Sequence, residues 1–295
     1  MLPPRLKAGD VIGLASPSWL ATKEGYAPIT MALEQMGFRV KYAKNLFANG
    51  WGYAASPEER AADLNELICD PSVRMIFFGG GEGADDVLPL LDYQAVSADP
   101  KLYLSYSDGT SILNSIWAQT GIITLYGQMP GLIPDISEYN RAQFLNHTMT
   151  LPKEHISNTT WHTLIPGSAE GTLIGGYLSN FIFLSSVGRI PLNEGGRYIL
   201  FIEDHERFNG IESESALIGR LEQCGIMPFV TGLLFGHYSK QTNAQLLERL
   251  QRLGDKWNIP VAYCDDFGHG ENHAILPIGA SAVLNTQCCR LTYRW

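Results

Sequence analysis

Short apolar runs alternate with helically spaced segments through the first half of the 295-residue chain, and this alternation restricts the fold more than any other feature. Val11-Ile12-Gly13-Leu14-Ala15 has the length and character of a buried strand and ends in Ser16-Pro17-Ser18. Residues 29–36 carry apolar side chains at helical spacing and stop at Gly37, a residue suited to the left-handed turn that closes a helix. Phe38-Arg39-Val40-Lys41-Tyr42 then alternates as a strand does. Ser56-Pro57-Glu58-Glu59 combines a capping box with proline at the first helical position, and Met75-Ile76-Phe77-Phe78 begins the next strand. Strands this apolar need cover on both faces, which a parallel sheet between helices provides. Such a sheet gathers its functional loops at the carboxyl ends of its strands. Two loops fall there: Gly79-Gly80-Gly81-Glu82-Gly83, before a helix expected over 84–91, and Tyr106-Ser107-Asp108-Gly109, after Leu102-Tyr103-Leu104-Ser105.

The second loop is the more specific. Ser105-x-Ser107-x-Gly109 is a small-residue form of the strand–turn–helix that exposes a nucleophilic serine. The helix expected over 110–119 points its N-terminal N–H groups at that serine, and Asp108 N–H becomes an oxyanion donor. The same residues also suit a turn in which Ser107 only caps a helix. A nucleophile further requires a base and an acid to orient it.

Between residues 127 and 166 the pattern weakens. Pro130, Pro134, Pro152 and Pro166 interrupt it, and polar residues crowd 146–163. The expected layout is a domain at 1–150, a linker at 151–166 and a second domain at 167–295. The second domain reads as a strand and tight turn at Gly171-Thr172-Leu173-Ile174-Gly175-Gly176, a helix over 178–186, and an apolar strand, 198–202, that empties into Glu203-Asp204-His205-Glu206. A helix over 212–224, a strand over 230–235, a helix over 243–253 and a strand over 261–263 follow. Of seven histidines, His147, His155 and His162 lie in the linker region and are expected to face solvent; His237 ends a strand. His269 stands between Gly268 and Gly270, which leave its ring free to project as a base. Glu203, half-buried at a strand end, suits the orienting acid, with Asp204 and Glu206 as competitors. Strand alternation puts Glu203 and Asp204 on opposite faces, so that only one can serve. The plainer alternatives are a surface histidine in a turn and a solvated strand-end carboxylate, or one paired with Arg207.

Other chemistries fit less well. His269 and His273, four apart, would converge on a metal only on a helix, which Gly268, Gly270 and Pro277 oppose. The glycine loop lacks the Lys-Ser/Thr ending of a phosphate loop, and Asp85 and Asp86 would repel a phosphate. A net charge of -9 without a basic cluster argues against nucleic acid and anionic membranes as partners. Five cysteines without a C-x-x-C fit a reducing compartment; adjacent Cys288 and Cys289, read as strand residues, are poor disulfide partners. With no secretion-signal pattern at the start and no apolar run of membrane-spanning length, a cytoplasmic location is expected.

Taken together these motifs resemble the LD-carboxypeptidases, serine peptidase family S66. The resemblance rests on Tyr106-Ser107-Asp108-x-Thr110, Ile202-Glu203-Asp204, and Phe267-Gly268-His269-Gly270 followed by Leu276-Pro277-Ile278-Gly279. It is extended by Gly9-Asp10, Ala15-Ser16-Pro17-Ser18, Gly80-Gly81-x-Gly83, Leu88-Pro89-x-Leu91-Asp92-Tyr93, Thr120-Gly121, Tyr126-Gly127 and Gly171-x-Leu173-Ile174-Gly175-Gly176. Each motif is short; their joint order is specific. The resemblance implies an α/β protein, with an N-terminal flavodoxin-like parallel-sheet domain and a smaller C-terminal α/β domain that swivels against it. It implies a nucleophile at Ser107, a base at His269 and an orienting acid at Glu203, assembled between the domains. Oxyanion donors would be the N–H groups of Gly81 and Asp108, with Gly80 and Glu82 on the substrate side. Family members trim the terminal D-alanine from murein tetrapeptides in the cytoplasm, or, as microcin C resistance enzymes, cleave an amide between a peptidyl aspartate and its nucleotide. A small peptide or muropeptide substrate, a homodimer, and no metal or other cofactor are implied. The chain departs from the family where Arg-Gly-Gly-Tyr-Gly is usual at 79–83, where Gly109 replaces Ile or Thr, and where Tyr177 replaces Asn. Substrate choice is expected to lie in loops such as 45–55 and 127–166. A reading of another class is a non-catalytic two-domain peptide-binding protein.

Overall fold

The computed structural model describes residues 1–18, 21–50, 54–131, 137–192 and 195–295. Trp51, Gly52 and Tyr53 of the first specificity loop, and Pro134 of the second, lie outside the described residues. The chain divides into two compact units, Met1–Leu151 and Pro152–Trp295.

The first unit runs β1 (Val11–Ala15), α1 (Lys23–Gln35), β2 (Arg39–Tyr42), α2 (Pro57–Cys69), β3 (Val73–Phe78), α3 (Tyr93–Ala98), β4 (Leu102–Ser105), α4 (Thr110–Thr120), β5 (Thr124–Tyr126) and α5 (Glu138–Met149). Its strands lie in the order β2-β1-β3-β4-β5, each pair parallel. This is the flavodoxin-like order, whose crevice opens at the carboxyl ends of β1 and β3. The capping box is formed: Glu59 N–H donates to Ser56 Oγ at 3.2 Å, and Ser56 N–H to Glu59 Oε2 at 3.0 Å. The helix expected over 84–91 is a 3-10 helix, Ala84–Leu90. Pro89 inside it has no N–H to donate, and Gly83 enters it in a left-handed conformation. α5 was not legible among the prolines and polar residues. Ser137 caps it, accepting from Asn140 N–H at 3.1 Å, and it buries Phe144, His147 and Thr148. His147, expected at the surface, is therefore buried on that helix face.

The second unit runs β6 (His162–Ile165), β7 (Ser168–Tyr177), α6 (Leu178–Ser186), β8 (Tyr198–Glu203), α7 (Ile211–Leu221), β9 (Val230–His237), α8 (Ala244–Trp257), β10 (Val261–Gly268), β11 (Leu276–Ile278), β12 (Ser281–Asn285) and β13 (Arg290–Arg294). Its sheet has the order β13-β12-β7-β8-β9-β10-β6. The middle four strands are parallel, and β6, β12 and β13 pair antiparallel.

Part of the stretch expected as a linker, 151–166, is sheet. β6 pairs with β10, and His155 is buried with Nε2 2.9 Å from Asp266 Oδ2. Asp266 also accepts from Asn158 N–H, Thr159 Oγ1 and Trp161 Nε1, which ties residues 155–161 to β10. The burial of His155 thus follows from a buried carboxylate 111 positions away, invisible in local sequence. His162 alone of the three is exposed. Gly175 and Gly176 do not turn. They continue β7 beside β8, and glycine is needed at 175 because a Cβ there would stand 1.7 Å from the Phe201 carbonyl oxygen. Cys288 and Cys289 occupy the turn between β12 and β13 rather than a strand.

Candidate active site

Ser107 lies two residues past Ser105, the end of β4, and starts a single 3-10 turn, Ser107–Gly109, that leads into α4. Its φ is +54°, rare for a residue with a side chain and costing on the order of 1–3 kcal/mol. Three contacts hold the strained turn. Ser107 N–H donates to Tyr126 Oη at 3.0 Å, Gly109 N–H to the Tyr106 carbonyl at 3.0 Å, and Ser105 Oγ to the Phe78 carbonyl at 2.6 Å. Small residues are obligatory here. A Cβ at Gly109 would stand 1.9 Å from Ser105 Oγ and 2.6 Å from Ser105 Cβ. With serine at 105, the family's usual Ile or Thr at 109 has no room.

The glycine loop is seated against this turn. A Cβ at Gly80 would lie 2.7 Å from Ser107 Cβ, so only glycine lets the two loops approach so closely. Gly81 has φ +145°, and Gly83 +96°. The buried Asp108 carboxylate accepts from Ala84 N–H at 2.8 Å, which locks the end of the glycine loop to the elbow. Glu82 is exposed, and its N–H donates to the Ser18 carbonyl at 2.9 Å. Sequence reading missed Arg60 of α2. Its buried guanidinium donates to the carbonyls of Ala55, Pro17 and Gly83 and meets Asp86 at 3.2 Å. One side chain thus ties the loop after β1 to the loop after β3. Nothing local marks it, because a lone arginine in an amphipathic helix reads as a solvated charge.

The second unit brings Glu203 and His269 together. β8 ends in Glu203, and the neighbouring parallel strands deliver His269 just past β10. His269 Nδ1 lies 2.8 Å from Glu203 Oε2. Glu203 is fully buried, not half-buried as expected, while the His269 side chain keeps 14% exposure. Asp204 is also fully buried and Glu206 is exposed, so burial does not alternate along this exit; of the three acids it is Glu203 that meets the imidazole. The flanking glycines act by close approach rather than by freeing the ring. A Cβ at Gly268, whose φ is +103°, would be 2.9 Å from Glu203 Oε2, and one at Gly270 would be 2.7 Å from His237 Cγ. Burial pulls the His269 pKa down, but the Glu203 carboxylate beside it, helped by Asp204, more than offsets this and leaves it raised. Tyr177 and Phe208 meet the ring edgewise at 5.4 and 5.2 Å, and His205 lies at 6.3 Å. These neighbours escaped sequence reading because no periodicity connects them. His273 is buried in a non-helical segment, where desolvation lowers its pKa to about 4, so it does not share a helix face with His269.

The arrangement within each unit suits acyl transfer: one unit presents a strained hydroxyl at a helix N-terminus, the other a carboxylate-oriented imidazole. Among the described residues, no helix is long and apolar enough to cross a membrane.

Comparison with known proteins identifies the family. The N-terminal domain of LD-carboxypeptidases matches residues 12–127, and their C-terminal domain matches residues 170–284. The chain is 28% identical to the microcin C7 self-immunity protein MccF of Escherichia coli, over 95% of this chain and 92% of that protein. It is 28% identical to a "Probable murein peptide carboxypeptidase" of Bacillus subtilis, over 96% and 91%. Among solved structures, an MccF-like protein from Bacillus anthracis superposes with a TM-score of 0.89 at 25% identity, covering 99% of each chain. With both family domains matched in order and the two-unit α/β architecture shared, the chain belongs to the LD-carboxypeptidase family, peptidase S66.

Proposed function

We propose that this protein is a metal-independent serine carboxypeptidase that hydrolyses the L,D peptide bond to the terminal D-amino acid of a murein tetrapeptide. The observation that carries the reading is the buried Glu203 carboxylate 2.8 Å from His269 Nδ1, an imidazole oriented as a triad base needs. The strained Ser107 turn supports it as the matching nucleophile. In this reading Ser107 Oγ attacks the carbonyl carbon as His269 takes its proton. Backbone N–H groups of Asp108 and Gly81 hold the oxyanion, and Gly80 and Glu82 border the substrate. The C–N bond then breaks, and His269 returns the proton to the departing amine. Water, deprotonated by His269, releases the acyl group from Ser107. The same reading carries a cytoplasmic homodimer that acts in cell-wall recycling.

Ser107→Ala should cut release of D-alanine from a murein tetrapeptide by about 10³-fold or more while the chain still folds. Turnover unchanged in that variant would sink the assignment. The similarity to MccF, solved in complex with aspartyl sulfamoyl adenosine, supports a second substrate for the same triad, a peptidyl or aminoacyl nucleotide amide. Parallel assays on a tetrapeptide and an aminoacyl-sulfamoyl nucleoside separate the two. A binding protein without catalysis would fail to react at Ser107 with a serine-directed phosphonate; labelling that disappears in His269→Ala excludes it.

A further inference from the structure

Besides Asp266, three carboxyl side chains of the second unit, Glu203, Asp204 and Glu214, have no exposure to solvent. Glu203 faces His269. Asp204 is furnished with neutral donors: His205 N–H at 2.6 Å and Asn209 Nδ2 at 3.2 and 2.9 Å from its two oxygens. Glu214 is different. It lies on α7 in the buried stripe with Leu217, Ile218 and Leu221, a spacing of three, four and seven that normally carries apolar side chains. Neither of its oxygens meets a donor among the described residues. The charged group that acts on it most strongly is the Asp204 carboxyl. Two carboxylates cannot face each other in a buried site without a proton between them.

We infer that Glu214 is a neutral carboxylic acid at neutral pH that donates its proton to the Asp204 carboxylate, so that the buried cluster behind His269 carries two negative charges and not three. The proton resides on Glu214 because Asp204 has donors to stabilise its charge and Glu214 has none. Burial, and then the Asp204 charge, push the Glu214 pKa up to about 10, in the same direction. The other titratable groups facing the cluster are Tyr177 at the end of β7, Tyr238 beyond β9, His205 and His269, with Glu206 and Glu212 also acting on Tyr238. Burial raises both tyrosines, followed by the carboxylates' charge, so they remain neutral phenols. Glu214 is thus a positioning residue. By holding a proton it limits the field that would otherwise raise His269 further and leave less of it as free base at neutral pH. That consequence rests on the proposed role of His269; the proton itself does not.

The test uses the full-length protein without substrate. Infrared difference spectra of wild type against Glu214→Gln at neutral pH should show a protonated-carboxyl C=O stretch that the variant lacks. The imidazole of His269, followed by NMR, should titrate within about 0.2 pH units of wild type in Glu214→Gln, whose amide copies a neutral acid, but at lower pH in Asp204→Asn. If Glu214 were ionised, Glu214→Gln would lower the His269 midpoint by roughly a unit or more. That shift, absence of the acid band, or failure of the isosteric Glu214→Gln variant to fold would each overturn the inference. Neither readout requires turnover. A protein that shows the band and the unmoved midpoint yet cleaves no peptide keeps the protonated Glu214 and loses the carboxypeptidase reading.

Discussion

Around Ser107 the constraints are contacts between backbone and small side chains. Gly109 cannot accept a methyl because of Ser105, Gly80 cannot because of Ser107 itself, and a positive φ is held by three hydrogen bonds. Around His269 the constraints are charges. Burial and two buried carboxylates, Glu203 and Asp204, determine how readily one ring takes a proton. Sterics of the first kind tolerate no substitution but are indifferent to pH. Electrostatics of the second kind tolerate isosteric change but respond to every neutralised charge. Substitutions in the two regions should therefore fail in different ways.

The largest effect belongs to the charged side. Glu203→Gln keeps the shape of the side chain and removes the anion. Turnover should fall about 10³-fold, in line with the cost of neutralising a triad acid. The pH profile carries the sign. The base works as neutral imidazole, so the raised pKa of His269 holds the acid limb of kcat/KM above the ordinary histidine value, and Glu203→Gln should move that limb to lower pH. Stability follows the opposite direction. A raised folded-state pKa contributes stability that is complete below the unfolded value and is lost as pH rises through the folded one. The pH-dependent part of the stability gap between wild type and Glu203→Gln should thus be widest in acid and shrink as pH rises. A limb that stays in place would mean that Glu203 does not set the charge of His269.

On the steric side, Gly109→Ala should cost about 10²-fold in turnover, the scale of a displacement near 1 Å at a reacting group. Overpacking should also remove about 1–3 kcal/mol of stability in urea unfolding. Its pH profile should keep the wild-type limbs, since no charge changes. Ser105→Gly removes both the Oγ and the Cβ that the new methyl would strike. The double variant should recover part of the lost activity, and an additive loss would show that the clash was not the cause.

The same division explains what could be read in the sequence. Steric demands leave local marks: glycines, small residues beside a serine, a capping box. The strand–turn–helix at Ser107 and the glycine loop were legible for that reason, whereas the flavodoxin-like order of the strands came only from the family resemblance. Glu203 and His269 were legible as strand-end residues, and in register with a family pattern, but their surroundings were not. Glu214 looks like any acidic residue in the first turn of a helix, where the dipole welcomes it. Only the packing of α7 puts it in the buried stripe. His147 and His155 were misplaced because polar, proline-broken sequence resembles a linker. Their burial depends on the apolar face of α5 and on Asp266, neither of which periodicity reveals.

Arg60 is where the two kinds of constraint meet, and the smallest of these effects on turnover is expected there. It is a charge that does steric work: its guanidinium joins Ala55, Pro17, Gly83 and Asp86, which lie outside the Ser107–Gly109 turn. Arg60→Met keeps the packed stem and strips the donors, leaving carbonyls behind two loops without their cation. Each buried acceptor left unsatisfied costs about 1–3 kcal/mol, so a loss of several kcal/mol in the unfolding free energy is expected. Because the strained turn has its own hydrogen bonds, kcat should fall only about tenfold, and KM should rise as the loops after β1 and β3 loosen. Denaturant unfolding and steady-state kinetics on one preparation separate the two effects. If kcat collapses as far as in Gly109→Ala while KM is unchanged, the elbow depends on Arg60 for its strain, and backbone contacts alone do not hold it.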